Sequence, residues 1–64
     1  MPVPESLLVH LATKAANSIY FGLFQSHYAP QAEAKEIADA CGNECVRLMR
    51  LMLKERGIVI SEAI

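Results

Sequence analysis

The 64-residue chain has no tryptophan, only two cysteines, three glycines and three prolines, and a net charge of only −1. So small a net charge gives no global attraction to nucleic acid or to an acidic membrane. The longest stretch without a formally charged residue, Ala15 to Ala32, is interrupted by Asn17, Ser18, Gln25, Ser26, His27, Pro30 and Gln31. It therefore lacks the run of about 20 apolar residues that a membrane span requires. Near the N-terminus Glu5 stands where a secretory signal carries Lys or Arg, and no small-residue cleavage site follows a clean apolar run. A cytoplasmic protein is expected, in which Cys41 and Cys45 are reduced thiols packed as small core residues rather than a disulfide. There is no internal repeat, low-complexity tract or linker, and the length allows one domain, residues 1–64.

What the chain does have is apolar residues, at 53% of its length. A chain this short buries only about 60% of its unfolded surface, and its core supplies only about 3–5 kcal/mol without further support. Surplus apolar area on so small a body has to be covered by another chain, which predicts a homodimer or a partner-bound module.

The pattern predicts an all-α protein of three helices with a short C-terminal β-strand. The first helix runs from about Pro4 to Phe24, because Pro4 suits a first helical position and Glu5 complements the positive end of the helix dipole. On a helical wheel His10, Thr13, Lys14 and Asn17 form one polar stripe, and leucines, alanines and Ile19 cover most of the remainder. Phe21 and Phe24 fall beyond this apolar arc and are expected at an interface, unless the helix bends at Gly22. After an extended Tyr28-Ala29-Pro30 a second helix is expected over Gln31 to Cys41, stopped by Gly42, with Asn43 capping a third helix over Glu44 to Arg56. Leu48 and Met52 on the broad apolar side of that third helix complete the expected dimer interface, and Gly57 ends it. Ile58-Val59-Ile60 reads as a strand with no partner inside the chain.

A helix, a tight turn and a helix with a basic edge is the layout of a helix-turn-helix. Lys35-Glu36-Ile37-Ala38-Asp39-Ala40-Cys41-Gly42, followed by Val46, Leu53 and Gly57-Ile58-Val59, resembles the helix-turn-helix half of small winged-helix transcription regulators over residues 31–60. The resemblance implies transcription regulation, with Arg47, Arg50 and Lys54 as DNA contacts and Ile37, Ala38, Val46, Leu53 and Ile58 as packing. Gly42 stands about two residues too close for the family's spacing, and no second wing strand follows before Ile64. The helix-turn-helix-like part spans 30–57. The alternative is a helical protein–protein interaction module without nucleic-acid contact. Charge is segregated in either case. Residues 30–44 carry Glu33, Glu36, Asp39 and Glu44 against Lys35, a local −3, and residues 45–57 carry Arg47, Arg50, Lys54 and Arg56 against Glu55, a local +3.

No catalytic constellation can be assembled. There is no Ser/His/Asp set, no pocketed carboxylate pair and no Gly-rich phosphate loop, and three short helices are not expected to enclose a substrate cavity of several hundred Å³. Cys41 and Cys45 form a C-x₃-C, but His10 and His27 lie far from them and from each other, so neither a metal nor another cofactor is expected. His10 reads as solvated and His27 as a turn residue.

Overall fold

A computed structural model describes residues 2–61 and places β1 (Val3–Pro4), α1 (Glu5–Gln25), α2 (Gln31–Glu55) and β2 (Ile60–Ser61) in that order. The all-α character holds, but these residues contain two helices, not three. The expected break at Gly42-Asn43 is absent, and α2 runs unbroken through it. Gly42 fits a role in packing rather than stopping. A Cβ built on it would lie 3.2 Å from Ala16 Cβ and 3.6 Å from the Ala12 carbonyl oxygen, so its bare Cα lets α2 pass close to α1. A glycine inside a helix costs about 1 kcal/mol relative to alanine, and close packing along the crossing offsets it.

The two helices form an antiparallel hairpin, with both ends closed by the same device. In α1 the Tyr28 N–H donates to the Leu23 carbonyl (3.0 Å) and the His27 N–H to the Phe24 carbonyl (3.1 Å). In α2 the Ile58 N–H donates to the Leu53 carbonyl (2.9 Å) and the Gly57 N–H to the Lys54 carbonyl (3.0 Å). Both are Schellman motifs, which require a left-handed residue just past the helix. Gly57 fills that position at φ +74°, as expected, and His27 fills the other at φ +60° without glycine's freedom. Prolines set both beginnings: Pro4 and Pro30 are extended N-caps, and the Pro30 carbonyl accepts the first bond of α2 from the Ala34 N–H at 2.8 Å.

The hairpin core is thin. Among the described residues only Leu8, Ala12, Ala34 and Ala38 are buried, flanked by half-buried Ala16, Ile19, Gly42, Val46, Met49 and Leu53. Alanine and glycine at four-residue spacing let the backbones approach, but they fill little volume. Cys41 is exposed and Cys45 half-buried, so the expected pair of core thiols is corrected for Cys41.

The terminal strand does find a partner in the chain, contrary to expectation. β1 and β2 pair in parallel, with Val3 opposite Ile60 and Pro4 opposite Ser61, and the Val3 N–H donates to the Val59 carbonyl at 2.8 Å. The antiparallel hairpin brings the start of α1 beside the end of α2, so two-residue strands can meet there. Pro4, which lacks an N–H, is tolerated because this sheet has only edges. The result is a slab of 41 × 22 × 14 Å with a radius of gyration of 13.8 Å, against about 11 Å for a compact domain of this length.

Candidate protein-interaction surface

Arg47, Arg50 and Lys54 share one exposed side of α2, as their spacing predicts. Both arginines are engaged by carboxylates of the same chain. The Arg47 guanidinium pairs with Glu44 one turn earlier, its Nε donating to Oε1 at 2.9 Å. This hydrogen bond holds the Glu44 carboxyl below its usual range and raises Arg47. Arg50 pairs with Glu5, tying the last third of α2 to the first residue of α1. An open groove of about 830 Å³ is lined by Glu5, Arg50, Lys54, Gly57, Ile58, Val59 and Ile60. Its walls are the end of α2 and the segment leading into β2, beside the first residue of α1. Among the described residues no group of three or more His, Cys, Asp or Glu side chains could hold a metal ion, and no helix is long and apolar enough to cross a membrane.

The four residues expected at the dimer interface do not form one patch. Gly42 beside Ala12 and Ala16 fixes the hairpin register, which puts Leu48 level with about Leu8 and Phe21 about 20 Å away along the helices. Phe21 and Phe24 instead cluster with Tyr20 at the loop end, with ring centroids 5.0 Å and 5.8 Å from Tyr20. α1 continues through Gly22, and both rings stay partly exposed.

Leu48 and Met52 belong to a different set. The helical repeat places Leu7 and Leu11 to one side of the buried Leu8–Ala12 line of α1, with Val9, Thr13 and Asn17 on the other. On α2, Ile37, Cys41, Leu48 and Met52 lie to one side of the Ala34–Ala38–Gly42 line, with Asp39, Asn43 and Val46 on the other. Two right-handed helices running antiparallel bring Leu7 and Leu11 onto the same broad face of the slab as Ile37, Cys41, Leu48 and Met52. The opposite face corroborates this placement, since Val9, Thr13 and Asn17 line one shallow hollow together with Asp39, Asn43 and Val46. Leu7, Leu11, Ile37, Leu48 and Met52 are each 41–48% exposed, more than any ordinary core position. The resemblance to winged-helix regulators implies a packing role for Ile37, whereas Leu7 and Leu11 belong to the wide apolar arc of the first helix. The width of the apolar arcs on both helices was the available sign that one contact could not bury them all.

No protein-family model, curated protein or solved structure matches the chain.

Proposed function

We propose that this chain is a helical protein-interaction module that docks another helical surface onto the face formed by Leu7, Leu11, Ile37, Leu48 and Met52. The observation that carries the reading is the contrast, among the described residues, between a buried core of one leucine and three alanines and five large aliphatic side chains left on one broad face. Monomeric surfaces rarely keep such a contiguous apolar patch without a use for it. The flat slab presents two helices side by side, a groove-and-ridge surface suited to further helices. The homodimer expected from composition is one way of covering it.

DNA binding through Arg47, Arg50 and Lys54 draws less support. It has in its favour only that the three side chains share one exposed side. The turn that would set a recognition helix apart is helical, and two of the three cations face carboxylates that would compete with phosphate. Selection from a library of amphipathic helical peptides tests the choice. Peptides with apolar residues at three- and four-residue spacing should bind, and lose about tenfold or more in affinity to Leu48→Glu but not to Arg47→Ala with Arg50→Ala. Tight binding to mixed duplex DNA that falls steeply with salt would reverse the choice.

A further inference from the structure

We infer that the occupant of this face is a second copy of the same chain, with its α2 laid antiparallel to the first; the inference rests on the interaction-module reading above and names its partner. Two observations independent of the face's greasiness point to it. The first is area. The chain exposes 4951 Å², where a folded monomer of this mass exposes about 4,000 Å². The excess of about 900 Å² is close to the roughly 800 Å² that each partner contributes to a standard interface. The second is charge polarity. Because α2 is one continuous helix, its acidic half (31–44, local −3) and its basic half (45–55, local +2) lie at opposite ends of a single rod.

That polarity decides the orientation. Parallel pairing of two α2 helices would set Glu36 beside Glu36 and Lys54 beside Lys54. Antiparallel pairing sets the Glu33–Glu36 end of one against the Lys54–Arg56 end of the other, and the helix dipoles agree with the same choice. The apolar stripe is itself nearly symmetric about its middle, between Glu44 and Cys45. A two-fold axis there puts Ile37 opposite Met52 of the second copy and Cys41 opposite its Leu48. By the hairpin register the same axis passes near Leu11 of α1, so the two Leu11 side chains meet and each slab covers the other in a four-helix arrangement. By the helical repeat Glu36 and Lys54 lie about 130° round α2 from the stripe, so the charge polarity acts over the length of the rod rather than through contact between these two side chains.

Sedimentation equilibrium of the full chain tests the inference, read with circular dichroism to confirm helical folding of each variant. The expected result is a species of about twice 7.0 kDa at tens of micromolar, converted towards monomer by Leu48→Glu with at least about a tenfold weaker dimer constant. Raising the ionic strength should weaken the dimer, because screening removes the attraction between the oppositely charged ends of the two rods. A parallel pair, which sets like ends together, would instead tighten as salt rises. A folded monomer at all concentrations, a dimer indifferent to Leu48→Glu, or a dimer that tightens with salt overturns the inference. If the monomer still binds selected amphipathic peptides through Leu48, the self-partner falls and the interaction-module reading stands; if it binds none, both fall.

Discussion

Gly42 of α2 lies against Ala16 of α1 so closely that a Cβ at residue 42 would sit 3.2 Å from the Ala16 Cβ. This contact sets the register of the hairpin, and with it which side chains meet and which are left on the broad face. It also makes the two helical glycines behave differently, since nothing lies within 4 Å of a Cβ built at Gly22. Gly22→Ala should stabilise by about 0.5–1 kcal/mol through helix propensity alone. Gly42→Ala should gain little or nothing, and Gly42→Leu should destabilise by about 1–3 kcal/mol through overpacking. Urea unfolding of the three variants reads this directly, and equal gains at both alanines would mean the helices do not approach at Gly42.

The two Schellman ends predict opposite responses. His27 holds φ +60° with a side chain that disfavours it, so His27→Gly should stabilise by about 1 kcal/mol. Gly57→Ala, at φ +74°, should cost a similar amount. Thermal or urea unfolding checks both signs.

Glu5 and Arg50 join the ends of the two helices, with their side chains 26% and 54% exposed. Glu5→Gln should therefore cost only about 0.2–1 kcal/mol at low salt. The difference from the unaltered chain should shrink further as ionic strength rises, which a salt series of unfolding curves would show.

The Glu44 carboxyl is held below its ordinary range first by the hydrogen bond from Arg47. A carboxylate shifted down in the folded state contributes stability that is present above its unfolded pKa and lost as pH falls through the lowered one. Carbon-detected NMR titration should place the Glu44 midpoint below that of an unpaired glutamate, and Arg47→Gln should move it back up. An unmoved midpoint would mean the pair does not persist in solution.

Much of the fold was legible in the sequence, for identifiable reasons. Pro4, Pro30 and Gly57 act at helix ends, where their backbone preferences decide the outcome locally, and all three helix limits fell within a residue or so of expectation. Gly42 was misread because glycine serves both as a helix stop and as a close-approach residue, and only the neighbour across the crossing, Ala16, tells the two apart. The pairing of Val3–Pro4 with Ile60–Ser61 was invisible for a related reason: residues at opposite ends of the chain become neighbours only once the hairpin is known. The same holds for the candidate site. The apolar arcs were wide enough to predict an uncovered face, but assigning Leu48 and Met52 to Leu7 and Leu11 rather than to Phe21 and Phe24 required the hairpin register.

The central claim is that the broad apolar face, not the basic edge of α2, is the working surface. Methyl NMR of the folded chain, followed on dilution from millimolar to low micromolar and in parallel titrations with a selected helical peptide and with duplex DNA, tests it most directly. The account predicts that the methyl signals of Leu7, Leu11, Ile37, Leu48 and Met52 shift together on dilution and with peptide, while DNA at physiological salt leaves the spectrum unchanged. Methyl signals that stay fixed on dilution and with peptide, together with DNA-dependent shifts centred on Arg47, Arg50 and Lys54, would contradict it.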